Sequence, residues 1–134
     1  MHNLLCNSVG EVYFEGYYDE AGGWFYNNWI GRVASDEVRA AAMHGLTSFE
    51  RHGHSKLLND NRRLEGSWGD ANDWLAHVWM PRALAAGLKQ FAHVVSPDVF
   101  AALSAEDFLT LVPEIGFEMR IFESIEAAEA WLRE

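Results

Sequence analysis

Two runs of residues that favour extended structure stand near the start of the chain. Residues 11–18 and 24–30 are rich in aromatic and other β-forming side chains, and Phe14 and Tyr18 would share one face of the first strand. The residues between the two runs, 19–23, have the composition of a turn. This pattern predicts a β-hairpin.

A helical pattern begins at Ser35. A hydroxyl side chain followed by the acidic residues Asp36 and Glu37 is typical of a helix N-terminus. Apolar residues then recur at helical spacing as far as Phe49, and Gly53 stands where a C-cap glycine is expected. We therefore predict a helix that starts at Ser35 and ends just before Gly53.

The second half of the chain alternates strands with helices. Short apolar or alternating runs predict strands at residues 55–60, 91–95 and 117–122, and a helical pattern follows each of them. The order ββαβαβαβα predicts a single α/β domain over residues 1–134, with a mixed sheet of four or five strands and helices packed mainly on one side. A chain of this length can bury a core without disulfides or metal.

Two helices of this half carry special features. Pro81 falls inside the pattern of the helix that begins near Ser67, and it should kink or divide that helix because proline lacks the backbone donor. Residues 96–98, Ser-Pro-Asp, predict the start of a short helix with proline at its first position. Ser104, with Asp107 three residues later, predicts that another helix opens there.

The segment after the strand at 55–60 is the predicted site. Open α/β sheets place their ligand sites at the carboxyl ends of strands, and this strand ends in polar residues. We predict a contact surface formed by loop 59–68 and the start of the following helix. Trp68 would supply a flat aromatic surface beside Asp60 and Arg62. The candidate binding residues are Asn59, Asp60, Asn61, Arg62, Glu65, Ser67 and Trp68.

The same residues admit simpler structural roles. Asn and Asp side chains often hold a turn by bonding nearby backbone amides, and Arg62 could pair with Glu65, Asp70 or Asp73. The sequence contains no nucleophile–base pair, phosphate loop or zincin-type histidine spacing. His93 lies in a predicted core strand, where a hydrogen-bonded structural role is favoured. We therefore predict no catalytic residue, no metal ligand and no cofactor.

Charge and composition limit the partners and the compartment. The net charge of −10 argues against nucleic acid and fits either solubility or a basic protein partner. The longest apolar runs are too short to span a bilayer, so no membrane contact is predicted. The N-terminus lacks the pattern of a signal peptide, and the single cysteine, Cys6, in a terminus expected to be frayed, can form no internal disulfide. These features predict a reducing, cytoplasmic setting.

Several short motifs carry a resemblance to a known family. They are Leu58–Asn61, Gly66–Trp68, Trp74, Trp79–Pro81, Ala86–Leu88 and Ala127–Leu132. Over residues 11–133, this chain resembles a group of small bacterial proteins of the SpoIIAA-like class, and its strand–helix order is similar to that of the STAS-like fold of anti-sigma-factor antagonists. The resemblance implies a SpoIIAA-like α/β fold and a non-catalytic regulatory or interaction module.

The resemblance departs from the STAS pattern at one point. Phosphorylatable STAS proteins carry an Asp-Ser-Ser-Gly type motif where the strand meets the next helix. This chain has Asn59, Asp60 and Asn61 there, and Ser67 follows several residues later. Ser67 is therefore a counterpart in topology only.

Three functional hypotheses follow. The leading one is a regulatory or protein-interaction module that uses loop 59–68. The alternative is a binder of a small apolar or amphipathic ligand, and the third is a small carboxylate-based enzyme with Asp60 or Glu65 as general base. Self-association as a homodimer is also predicted, because the hairpin is aromatic on both faces. The ligand cleft of the alternative would be lined by Trp24, Trp29, Trp68, Trp74 and Trp79.

Overall fold

The computed structural model describes residues 2–134 and contains one six-stranded sheet in the order β1–β2–β3–β4–β5–β6. Strands β1 to β3 pair antiparallel, and β3 to β6 pair parallel. The mixed α/β class is confirmed, with one strand more than the expected maximum. The strands are β1 His2–Cys6, β2 Val12–Asp19, β3 Trp24–Arg32, β4 Lys56–Glu65, β5 Gln90–Val94 and β6 Glu118–Phe122.

The helices lie on both faces of the sheet. Helices α1 to α4 cover one face, which holds the larger core, and α5 packs on the other face. A 3-10 turn, Gly69–Ala71, precedes α2, and a π turn, Leu75–Trp79, joins α2 to α3, so that residues 69–85 form one continuous helical path. None of the helices between residues 2 and 134 is long and apolar enough to cross a membrane. The helices are α1 Ser35–His52, α2 Asn72–Trp74, α3 Met80–Ala85, α4 Val99–Leu109 and α5 Ile125–Leu132.

The additional strand is β1. It pairs with β2 at the edge of the sheet, with Leu5 opposite Phe14 and Cys6 opposite Val12. Cys6 therefore lies in a strand and not in a frayed terminus. The residues of β1 alone carry little strand signal, and the strand forms because the predicted hairpin offers an unpaired edge.

Strand β4 is longer than predicted, and this corrects the expected contact loop. Pairing with β3 continues from Asn59 opposite Asn27 to Glu65 opposite Arg32, so residues 59–65 belong to a strand. Polar side chains predict the end of the strand, but the parallel ladder satisfies the backbone here irrespective of side-chain polarity. The surface loop predicted at 59–68 is thereby reduced to the residues after Glu65.

A β-bulge interrupts this ladder. Asn28 pairs with Asp60, whereas Ile30 pairs with Arg63, so β4 carries one extra residue opposite Trp29. A bulge shifts the alternation of side chains between the two faces of the sheet. As a result, Leu64 joins the core beneath the helices while Arg63 stays exposed.

Pro81 affects its helix as predicted. The backbone N–H of Met80 bonds to Leu75 O, five residues earlier, and this π geometry occupies the turn just before the proline. Because Pro81 has no N–H, the carbonyl of His77 lacks its α-helical partner. The predicted interruption of the regular α-helix is confirmed, although the helical path is not divided.

Helix α4 replaces the two short helices predicted in this region. Asp98 is the N-cap, and its Oδ1 accepts hydrogen bonds from the backbone N–H groups of Phe100 and Ala101. Pro97 thus precedes the cap and is not the first helical residue. Ser104 lies inside the helix, because its hydroxyl bonds the carbonyl of Phe100 one turn earlier instead of capping a new start.

Gly16 in β2 makes a close approach that a side chain would prevent. A Cβ atom at this position would lie 2.9 Å from the ring of Phe14 and 3.3 Å from Asn27 Oδ1. The ring of Phe14 is buried in the core, so it has little room to move.

We expect Gly16→Ala to lower the free energy of unfolding by about 1–3 kcal/mol, because the new methyl group overpacks the core. Chemical denaturation measures the change. Glu15→Ala, at the neighbouring half-exposed position, is the control and should change the free energy by less than about 0.5 kcal/mol. Equal effects of the two substitutions would contradict the steric explanation.

Candidate functional site

A cavity of about 60 Å³ lies between the sheet and the helices on its larger-core side. Its wall is mainly apolar and aromatic, with three asparagines from β3 and β4 as its polar side chains. Small residues of α1 and large residues of the helical path 69–85 face the same space. The lining residues used below are Asn27, Trp29, Gly45, Asn59, Asn61, Trp68, Leu75, Trp79 and Phe108.

Asn59 is the centre of a buried hydrogen-bond network beside the cavity. Trp29 Nε1 donates to Asn59 Oδ1 over 2.8 Å, and Asn59 Nδ2 lies 3.1 Å from His93 Nδ1. An indole N–H can only donate, so it fixes which end of the Asn59 amide is oxygen. Asn59 Nδ2 also lies 3.4 Å from Asn61 Oδ1.

The orientation of Asn59 fixes the protonation of His93. Because Asn59 presents an NH₂ group, His93 Nδ1 must accept, and the ring proton sits on Nε2. Burial lowers the pKa of His93 to about 4, so the ring is neutral near neutral pH. His93 is only 1% exposed, and its Nε2 has no partner among residues 2–134.

Three further buried polar atoms lack a partner within the described part of the chain. They are Trp68 Nε1, Asn27 Oδ1 and Asn72 Oδ1. Most buried polar groups in proteins are paired, and each exception calls for an explanation. Trp68 and Asn27 line the cavity, so a bound molecule is one such explanation.

The burial of Trp68 contradicts the prediction of an exposed aromatic contact patch. The side chain is only 9% exposed, and its ring centroid lies 6.2 Å from that of Phe108 and 6.1 Å from that of His93. The backbone N–H of Trp68 donates to Ser104 Oγ in α4. Because α4 packs over this segment, a residue outside any regular element becomes part of the core.

Asp60 lies on the opposite face of the sheet from the cavity. Tyr26 donates its hydroxyl to Asp60 Oδ2 over 2.6 Å, and Arg62 donates from Nε and Nη2 over 3.0 and 2.9 Å. Burial alone would raise the pKa of Asp60, but the hydrogen bonds from Arg62 and Tyr26 outweigh it and hold the pKa below its usual value. With both oxygens engaged and a low pKa, Asp60 is a poor general base.

The remaining candidates lie near the end of β4. Arg62 pairs with Asp60, and not with the acidic residues that the sequence suggested. Glu65 is exposed at the last position of the strand, and Ser67 is exposed beyond it. The hydroxyl of Ser67 lies 3.1 Å from Ser104 Oγ and accepts from the Gly69 N–H.

The seven candidate binding residues therefore lie in three separate parts of the structure. Asn59, Asn61 and Trp68 meet at the cavity, whereas Asp60 and Arg62 form an ion pair on the other face, and Glu65 and Ser67 lie beyond both. Sequence reasoning did not place Gly45 at the cavity or connect His93 to Asn59 in its wall. One signal was available: Leu57, Asn59 and Asn61 alternate along β4, so the two amides share the core-facing side with a leucine.

Comparison with protein families is decisive at this point, because the SpoIIAA-like family model matches residues 25–133. The chain belongs to the SpoIIAA-like family. Every residue that lines the cavity of this SpoIIAA-like domain lies inside the matched segment, while β1 and β2 lie outside it. Comparison of the SpoIIAA-like chain with curated proteins and with solved structures gave no significant match.

The neutral state of His93 makes a prediction about pH for this SpoIIAA-like domain. The pKa of His93 is lowered in the folded state, so the unfolded chain binds a proton at higher pH than the folded chain. Stability should therefore fall as the pH drops from about 6.5 to about 4. His93→Asn offers Oδ1 to Asn59 and removes the titration, so the free energy of unfolding should depend less on pH in this window.

Denaturant unfolding at a series of pH values measures this difference. The exposed His77→Asn is the control and should keep the pH dependence of the unsubstituted protein. An unchanged slope in His93→Asn would show that His93 is not the titrating group.

Proposed function

We propose that this SpoIIAA-like domain is a non-catalytic binding module that takes up a small, largely apolar ligand in the cavity. The supporting observation is an apolar and aromatic cavity with a few polar groups and unpartnered buried atoms in its wall. Small-molecule sites have this composition. We place the module in a reducing cytoplasm, as its single cysteine suggests.

Gly45 supports a functional origin for the cavity. It lies inside the 18-residue helix α1, where glycine is less stable than alanine by about 1 kcal/mol. A Cβ atom at Gly45 would have no heavy atom within 4 Å, so close packing does not require the glycine. Protein cores normally fill such space. The open volume is therefore kept at a cost in stability, as a binding site would require.

The size of the cavity limits the ligand. Its volume of about 60 Å³ suits a molecule of a few heavy atoms, whereas benzene occupies an engineered cavity of roughly 150 Å³. A larger ligand, including a cyclic molecule of six heavy atoms such as cyclopentanone, requires movement of the covering wall. Leu75 and Trp79 line the cavity from the π turn, and π turns are frequent at functional sites. In this proposal, the helical path 69–85 is the adjustable wall.

Contact with a protein partner is a second candidate function, and α4 favours it. Val99, Phe100 and Leu103 are 62%, 63% and 49% exposed on this helix. Exposed Glu106 and Asp107 lie next to them. The surface fits a partner with an apolar groove and a basic rim, which the net charge of −10 also favours. A second copy would bring the same acidic residues face to face in a symmetric dimer.

Homodimerisation through the hairpin stays a prediction. Tyr17 and Tyr26 pair on the face away from the larger core, with ring centroids 5.2 Å apart, and both are half-buried. Helix α5 packs mainly on β4, β5 and β6, beyond these tyrosines. Light scattering at micromolar concentrations tests the oligomeric state, and a monomeric mass would contradict this proposal.

We expect Gly45→Leu to fill the cavity and block ligand binding while leaving the domain as stable as before, because leucine replaces a poor helix former. The probe is cyclopentanone, a small uncharged ring, followed by NMR shift changes of the indole N–H groups and by tryptophan fluorescence. Binding to the unsubstituted protein should disappear in Gly45→Leu.

The control is Ala40→Leu, which adds a similar side chain on the exposed face of α1. It should leave probe binding unchanged. Equal binding by all three proteins would place the probe outside the cavity and count against the proposal.

A further inference from the structure

Two unpartnered donors belong to neighbouring aromatic rings, of which Trp68 lines the cavity and His93 does not. Trp68 Nε1 can only donate, and His93 Nε2 carries the ring proton because the Trp29–Asn59–His93 chain fixes it there. The centroids of the Trp68 and His93 rings lie 6.1 Å apart. Both nitrogens are buried, so water from the bulk cannot satisfy them freely. An acceptor oxygen on a ligand in the cavity would satisfy the N–H group of Trp68.

The surroundings of these donors disfavour a charged ligand. None of the residues that line the cavity is a lysine, arginine, aspartate or glutamate. The nearest charge that acts on His93 is negative, because Asp60 raises the pKa of His93 against the effect of burial. A carboxylate would lose its hydration here without gaining a countercharge. A cation would face donors where it needs acceptors.

The unpartnered acceptor lies elsewhere in the wall. Asn27 Oδ1 belongs to β3 and points toward Gly16 of β2, whereas His93 belongs to β5. Strands β3 and β5 flank β4, so they are separated by roughly 10 Å, which is two strand spacings. Asn27 therefore lies apart from the β5 side of the cavity, where the ring of Trp68 is a neighbour of His93.

We infer that the cavity selects an uncharged apolar molecule with a carbonyl oxygen, which accepts a hydrogen bond from Trp68 Nε1. This inference rests on the proposed function, since it names the class of ligand that the cavity takes. It adds a polar anchor to a site whose remaining wall contributes mainly apolar contact.

The test uses matched probes and matched variants. Cyclopentanone carries the carbonyl group, methylenecyclopentane replaces its oxygen by CH₂ with nearly the same shape, and cyclopentanecarboxylate adds a charge. Trp68→Phe removes one donor and keeps an aromatic ring. Trp131→Phe is the control, because Trp131 lies in α5 on the other face of the sheet. Affinities are measured by NMR titration.

We expect Trp68→Phe to weaken the binding of cyclopentanone by about three- to tenfold, which is the effect of one lost hydrogen bond. Methylenecyclopentane should bind both proteins with similar affinity, so that hydration differences between the probes cancel in the comparison. Trp131→Phe should change neither affinity. Cyclopentanecarboxylate should not bind.

Infrared spectroscopy of cyclopentanone bound to the unsubstituted protein provides a measurement that needs no variant. A hydrogen bond from the Trp68 N–H group should lower the carbonyl stretching frequency below its value in an alkane solvent. An alkane-like frequency would overturn the inference even if Trp68→Phe failed to fold.

The outcomes separate this inference from the proposed function. Equal weakening of both neutral probes by Trp68→Phe would overturn the carbonyl assignment and leave the apolar binding site standing. Tighter binding of the carboxylate would overturn the assignment of an uncharged ligand. Failure of both neutral probes to bind the unsubstituted protein would remove the binding site itself.

Discussion

The larger-core face of this protein depends on one buried amide. Asn59 sits in β4, the strand between β3 and β5, where its side chain must be satisfied at both ends because water is excluded. Trp29 and His93, from the two flanking strands, meet this need. One asparagine thus orients an indole, selects a histidine tautomer and leaves a buried N–H group of that histidine without a partner.

Strand alternation in β4, followed by the bulge, separates two kinds of polar chemistry. On one face, Asp60 accepts hydrogen bonds from Tyr26 and Arg62, and these bonds occupy both of its carboxylate oxygens. On the other face, Asn59 and Asn61 lie among aromatic rings beside open space. The extra residue opposite Trp29 allows Leu64 to return to the core after these amides. Charged groups are thereby kept out of the cavity, although they are adjacent in sequence to its polar wall.

Local patterns predicted those elements whose signals are contained in their own residues. The hairpin, α1 and the Ser124 cap of α5 follow from spacing and capping preferences, and Ser124 Oγ does accept from the Ala127 N–H. The predictions failed where residues distant in the sequence determine the local structure. Strand β1 needs the edge of β2, the far half of β4 needs β3, and Trp68 is buried only because Ser104 brings α4 over it. The cavity itself could not be read from the sequence, because it arises where α1, the π turn and the sheet face one another.

The cavity wall and the exposed apolar helix form one structural unit. Ser104 of α4 accepts from the Trp68 N–H through Oγ and from Asn72 Nδ2 through its carbonyl, and Asp98 at the start of α4 accepts from the Gly66 N–H. The segment from Gly66 to Asn72 therefore cannot move far without drawing α4 along. A ligand that binds only the folded domain also stabilises it, in proportion to the logarithm of its concentration above the dissociation constant. Under the proposed function, occupancy of the cavity would therefore be linked through these hydrogen bonds to the position of the apolar face of α4.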